Sequence, residues 1–166
     1  MSYAAVAEES KEFKTINVDD EGVKDRWSRY IGAMGIEAVA KQAEAVVYID
    51  QLGGLGIEIA KNIVLAGCKE LILGPTAAPT FKDLTSQFFI EEKDVRASTE
   101  QSRVSLCKQK LQELNPYVKV TSINDTLTTN QTCLLERHTR IAVFTDPLKA
   151  QIKNEQLAIW NELLRS

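Results

Sequence analysis

The residues best able to do chemistry in this chain are the glycines of Gly53-Gly54-Leu55-Gly56, which follow the compact apolar run Val46-Val47-Tyr48-Ile49. Glycines let a backbone turn tightly and approach an anion, while the N–H groups of a following helix point at it. The segment therefore has the order strand, glycine turn, helix that suits a phosphate. If Gly53 and Gly56 are the second and third glycines of G-x-G-x-x-G, the first position is Gln51, whose side chain is expected to crowd the turn. A ribose-gripping acid is expected about 20 residues on, at the end of the next strand. There the chain reads Leu73-Gly74-Pro75-Thr76, with Glu70 too early and Asp83 well into a loop. The turn is equally explained by a helix packing close to a sheet, and on these residues both readings stay open.

Other reactive types are scarce. Cys68, Cys107 and Cys133 are odd in number, far apart and form no C-x-x-C, which argues against a disulfide framework and for a reducing compartment. Cys107 falls on an apolar helical face and Cys68 follows a helix-stopping glycine, so both are expected to be buried; Cys133 is the more exposed candidate. His138 is the only histidine and is expected at the surface, so no metal site is predicted. Lys61-Asn62 could approach a phosphate, but a solvated helix face is the plainer expectation. Arg29, near Arg26, reads in the same way from the residues alone.

These groups need elements to hold them. The chain has 166 residues, enough for one domain that buries roughly 70% of its unfolded surface. With 20 basic and 23 acidic residues the formal charge is −3, so no basic field points to nucleic acid or an anionic membrane. No apolar run reaches the roughly 18 residues of a membrane span, and the polar, acidic start is unlike a signal or transit peptide. Residues 1–22 are expected to form a flexible acidic tail, and 23–166 the folded domain.

Val23 to Ala45 suits two short helices parted by the Gly32–Gly35 segment. Leu55, Ile59 and Ile63 fall four apart on a helix that Gly67 is expected to stop. Leu71-Ile72-Leu73 is the next strand, and residues 76–98 are a loop with short structured pieces. Val104, Cys107, Leu111 and Leu114 mark a helix ending at Asn115-Pro116. Val118, Val120 and Ile123 suit a strand, and Ile141-Ala142-Val143-Phe144 a fourth, buried one. Leu148, Ile152, Ile159 and Leu163 suit a final helix. Alternating strands and helices predict an α/β, Rossmann-like, mainly parallel sheet with helices on both faces.

Four strings in order, WSRYIGAMG, LGGLGIEIAKNIVLAG, DLTSQFFIEEKDV and ELNPYVKV, extend the reading. From about Asp25 onward the chain resembles the N-terminal adenylation repeat of enzymes that activate ubiquitin and ubiquitin-like modifiers. The resemblance implies a ThiF/MoeB-like adenylation fold that continues past Ser166. It also implies two repeats that pair in one chain or as a heterodimer, as in the ubiquitin-activating N-terminal half or the SUMO-type small subunit. In the family one repeat binds MgATP and adenylates the modifier's C-terminal carboxylate, before transfer to a cysteine in a separate domain. The other repeat scaffolds and lends an arginine.

Departures from the active pattern imply that this is the inactive repeat. Active repeats end their second strand in an aspartate, where this chain has Gly74. Their N-x-x-R-Q pattern reads here as Asp83, Ser86 and a retained Gln87. Serine removes a bidentate phosphate donor, and the aspartate would repel a triphosphate. A metal-binding aspartate would fall near Asp146 or past the end, and paired C-x-x-C zinc ligands are absent. No tightly bound cofactor is expected on this chain; Gly53, Gly54 and Gly56 form a degenerate glycine turn, and MgATP would belong to the partner repeat. The lent arginine maps onto Arg29 in Trp27-Ser28-Arg29-Tyr30, where the family has Tyr-x-Arg-Gln. Expected partners are the active repeat and ubiquitin or a ubiquitin-like protein, with no nucleic acid or membrane, in cytoplasm or nucleus. The competing functions are a dinucleotide-binding domain of an oxidoreductase and a free-standing protein-interaction module.

Overall fold

A computed structural model describes residues 16–97, 102–123, 136, 138–145 and 154–165. Cys133, Asp146, Leu148 and Ile152, and most of the expected N-terminal tail, lie outside the described residues. Among the described residues four strands form one sheet: β1 (Val46–Asp50), β2 (Glu70–Leu73), β3 (Lys119–Ser122) and β4 (Ile141–Phe144), in the order β3-β2-β1-β4. Every pairing is parallel, with Tyr48 opposite Ile72 on one side of β1 and Ala142 on the other. Parallel neighbours need a crossover. Helix α4 (Gly54–Ala66) supplies it between β1 and β2, and α6 (Arg103–Leu114) between β2 and β3. After β3 the order reverses and β4 lies beside β1, so the crevice of such a sheet falls beyond the ends of β1 and β4.

Alternation along the strands divides the core. Val47, Ile49, Leu71, Leu73 and Val120 pack with Ile57, Ala60 and Val64 of α4 and with Val104, Cys107 and Leu111 of α6. The intervening Val46, Tyr48 and Ile72 pack on the other face with Ile123 and Trp160 of α7 (Asn154–Leu163). Fully burying one such aliphatic side chain contributes about 1.5–3 kcal/mol, so both helical layers are held by the sheet they cover. The Rossmann-like sheet with helices on both faces is as the alternating pattern implies. β4 is less buried than its composition suggests: Ile141 is exposed and Ala142, Val143 and Phe144 are half-buried. Among the described residues β4 is an edge strand, flanked by β1 alone.

The lead-in holds three helices where the glycine spacing suggests two: α1 (Glu21–Arg26), α2 (Ser28–Met34) and α3 (Ile36–Glu44). Gly32 continues inside α2, and the second break is Gly35 at φ 86°. The first break is Trp27, whose backbone leaves the helix as its ring turns inward to 2% exposure. It packs with Val23 and Val39 and donates from Nε1 to the Ala66 carbonyl at 2.9 Å. The acidic VDDEG stretch, read as the end of a tail, supplies the cap of α1: Asp20 Oδ1 accepts from the Gly22 and Val23 amides. Within the loop between β2 and α6 lie a 3-10 turn, Asp83–Thr85, and a short helix α5 (Glu92–Ala97).

Candidate functional site

The glycine turn joins the end of β1 to the start of α4, at the reversal of strand order. Gln51 adopts φ 63°, the left-handed backbone that a glycine would take there. The expected crowding is thus accommodated in the backbone, at a cost of about 1–2 kcal/mol. Gly56 has no room for a side chain, since a Cβ would lie 2.1 Å from the Gln51 carbonyl oxygen. Thr145, just past β4, donates from Oγ1 to the Asp50 and Gln51 carbonyls at 2.9 and 3.0 Å. The turn is therefore tied across the switch point. A cleft of about 220 Å³ opens here, lined by Gly53, Gly54, Leu55 and Gly56 with Gln51, Thr145, Asp83 and Arg103.

The D-L-T-S-Q segment lies on top of the turn. A Cβ on Gly54 would come within 2.4 Å of Ser86 Oγ, so glycine is required for the 3-10 segment to dock. Gln87 is the anchor and faces inward at 1% exposure. Its Nε2 donates to the Leu52 carbonyl at 3.3 Å and lies 3.2 Å from Cys107 Sγ, while its Oε1 accepts from the Phe89 amide at 2.9 Å. Asp83 does face the cleft. Its Oδ2 accepts from the Thr80 amide at 2.7 Å and Thr80 Oγ1 at 2.9 Å, and lies 3.4 Å from Arg103 Nη1.

Arg103 is a site residue that the sequence reading passed over. It is the first residue of α6, behind the capping Ser102, where the positive end of the helix dipole disfavours a cation. That misplaced charge was the signal available. Its side chain is 11% exposed, its Nη1 also reaches the Ala78 carbonyl at 3.4 Å, and among the described residues its buried Nε has no hydrogen-bond partner.

At Gly74 the structure goes further than a missing acid. A Cβ there would fall 2.2 Å from Tyr48 Oη and 3.1 Å from Asp50 Oδ1. Tyr48 donates to Asp50 Oδ1 at 3.1 Å, and both residues are buried. Burial, together with the adjoining Asp50 carboxylate, pushes the Tyr48 hydroxyl well above the usual phenol range, so it stays a proton donor. The space of a side chain at the end of β2 is thus filled from β1.

The remaining candidates separate from the cleft. Arg29 is exposed on α2 and does not line it. Lys61 pairs with Glu58 and sits 5.2 Å from the Phe88 ring centre, and Asn62 Nδ2 donates to the Glu58 carbonyl. Cys68 and Cys107 are buried free thiols, pushed up to about 12 and about 11 by desolvation. His138 is exposed. Among the described residues no group of three or more His, Cys, Asp or Glu could hold a metal, and no helix is long and apolar enough to cross a membrane.

This architecture has known counterparts. The ThiF family matches residues 27–162. Mouse ubiquitin-like modifier-activating enzyme 6 is 42% identical over 103 residues, which are 62% of this chain and 9% of that protein. Rabbit ubiquitin-like modifier-activating enzyme 1 is 33% identical over 134 residues, 81% of this chain and 12% of that protein. The chain thus spans about a tenth of the length of these curated relatives. Among solved structures, E. coli tRNA N6-threonylcarbamoyladenosine dehydratase, TcdA, superposes with a TM-score of 0.69 at 15% identity, covering 87% of this chain and 59% of that one. TcdA has also been solved in complex with ATP, a structure that matches with a TM-score of 0.64 at 15% identity over 76% of this chain and 51% of that one. A parallel sheet with a glycine turn at its switch point, matched over most of its length, places the chain in the ThiF family, as an adenylation domain related to the ubiquitin-like modifier-activating enzymes.

Proposed function

We propose that this chain is the non-catalytic adenylation half of an ATP-dependent activating enzyme for ubiquitin or a ubiquitin-like protein. The observation that carries the reading is the filled corner at Gly74, where Tyr48 and Asp50 occupy the place of a ribose-binding side chain. These residues do not fit a nucleoside: no carboxylate can stand at position 74 without displacing Tyr48. The Asp83 carboxylate in the cleft adds charge of the wrong sign for a triphosphate. The same corner speaks against a dinucleotide-binding oxidoreductase.

In this reading MgATP belongs to a partner repeat, in the same longer polypeptide or a separate subunit, which adenylates the modifier before thioester transfer in another domain. This chain scaffolds that partner and lends it Arg29. The guanidinium is exposed on α2, with Tyr30, Met34 and Ile36 as exposed apolar neighbours suited to a protein surface. An arginine delivered across an interface neutralises charge on a phosphate leaving group. The proposed place of action is the cytoplasm or nucleus.

Modifier-dependent ATP–pyrophosphate exchange tests this directly. The chain by itself is expected to give none, and to support exchange only when assembled with an active repeat. Exchange catalysed by the isolated chain would end the proposal.

A further inference from the structure

We propose that Asp83 is a resident anion of the glycine-turn cleft, holding by its own carboxylate the place of ligand charge opposite Arg103 and keeping polyphosphates out. The inference rests on the reading of this chain as the non-catalytic half, and reduces the exclusion of phosphate to one side chain.

Most of the cleft favours an anion. Gly53, Gly54 and Gly56 bring backbone close, α4 begins there with its positive end, and Arg103 stands at the wall with its side chain 11% exposed. Among the described lining residues Arg103 is the basic one and Asp83 the acidic one. Asp83 is not a loose surface acid. Its Oδ2 takes two hydrogen bonds from Thr80, at 2.7 and 2.9 Å, which fix the carboxylate at the mouth of the cleft with 14% side-chain exposure.

Arg103, in contrast, is engaged weakly. Its Nη1 is 3.4 Å from both Asp83 Oδ2 and the Ala78 carbonyl, at the long end of hydrogen bonding, and among the described residues its buried Nε has no hydrogen-bond partner. A guanidinium offers five donors, so this one keeps capacity for an anion that the nearby carboxylate repels. Ser86, seated against Gly54, supplies no second cation to offset the repulsion.

Inorganic pyrophosphate is the probe. The unaltered chain, titrated to millimolar pyrophosphate while its thermal unfolding is followed, is expected to show no saturable stabilisation. Asp83→Asn removes the charge and keeps an oxygen that can accept from Thr80. It is expected to bind pyrophosphate about 100-fold more tightly than the unaltered chain, the scale of one charge a few ångströms away in a partly buried cleft. Adding Arg103→Gln to Asp83→Asn should abolish the gain. The proposal is overturned if the unaltered chain binds as tightly as Asp83→Asn, or if a cooperatively melting Asp83→Asn variant gains nothing. Should Asp83→Asn not melt cooperatively, Asp83→Ser, which keeps a capping oxygen, is titrated under the same two criteria. ATP–pyrophosphate exchange by the unaltered chain would refute the non-catalytic reading; a failed gain of binding with exchange still absent refutes the resident anion only.

Discussion

Gln51 shows how a single side chain can be wrong for a motif and still be accommodated by its backbone. At φ 63° it takes the conformation a glycine prefers, so Gln51→Gly is expected to be neutral or to stabilise the chain by up to about 1 kcal/mol. Gln51→Val, β-branched and least suited to that region, should cost about 1–2 kcal/mol, read from urea midpoints. Cys68 and Cys107 give a second residue-scale test. Their thiols ordinarily ionise near 9.0, and burial raises them to about 12 and about 11. The folded state therefore holds these protons more tightly than the unfolded one. Stability from this source is full below about pH 9 and declines as pH rises toward 11 and 12. At pH 8 the peptides carrying these two cysteines should resist alkylation until denaturant is added, as mass mapping would show. Gln51 and Gly74 were legible in the sequence as departures from a spacing. Tyr48 and Asp50 were not, because only the register that sets Ile49 opposite Leu73 brings them beside Gly74.

Helix α4 is held at its far end by side chains from three other places. Gly67, at φ 90°, ends it as its position in the sequence suggests. The carbonyls left over by the last turn are met from outside: Asn115 Nδ2 donates to Val64 at 2.8 Å, while Trp27 Nε1 and Gln42 Nε2 both donate to Ala66. Asn115 is fully buried and also accepts from the Tyr117 amide, so it joins the ends of α4 and α6. Asn115→Ala should lower unfolding free energy by about 1–3 kcal/mol, because it leaves the Val64 carbonyl with the 3.2 Å bond from the Gly67 amide and takes the side-chain acceptor from the half-buried Tyr117 amide. Gln42→Ala, on a half-buried side chain sharing its acceptor with Trp27, should cost less; equal losses in a urea titration would contradict this division of labour. Helices α4 and α6 were legible as elements, and α6 also by its buried face; on α4 the face read from Leu55, Ile59 and Ile63 is not the innermost one, since Leu55 is exposed and Ile57, Ala60 and Val64 are buried. The break at Trp27 was not, since it follows from where the indole is buried rather than from any local breaker.

The order β3-β2-β1-β4 decides where the cleft can be, and the lead-in helices lie elsewhere. They pack by Trp27 and Gln42 against the end of α4 opposite to its glycine turn. Arg29 therefore does not line the cleft of its own chain. If the proposed function holds, Arg29→Ala in a complex with the active repeat is expected to slow adenylation by roughly 1,000-fold or more, in keeping with arginines supplied in trans. Assembly, followed by size-exclusion chromatography, should be unchanged. An unaltered rate would remove Arg29 from the mechanism. The sheet was legible from the alternation of strands and helices, and the family from four short strings in order. The cleft's inner pairing of Asp83 with Arg103 was not, because those residues lie 20 positions apart on two elements whose contact is made only on folding.

The corner at Gly74 also sets the order in which mutations could be accepted. Gly74→Asp introduced first would drive a Cβ to 2.2 Å from the Tyr48 hydroxyl and bring a new carboxylate toward Asp50. Changing Tyr48 first, for instance to Phe, removes the hydroxyl that donates to the Asp50 carboxylate and still leaves the ring Cζ 2.8 Å from that Cβ. Either first step is unfavourable, and a side chain at position 74 also requires the ring at position 48 to move or shrink. If the chain is the non-catalytic half, a side chain at this position cannot be restored by one substitution, a ratchet guarded by epistasis between two adjacent strands.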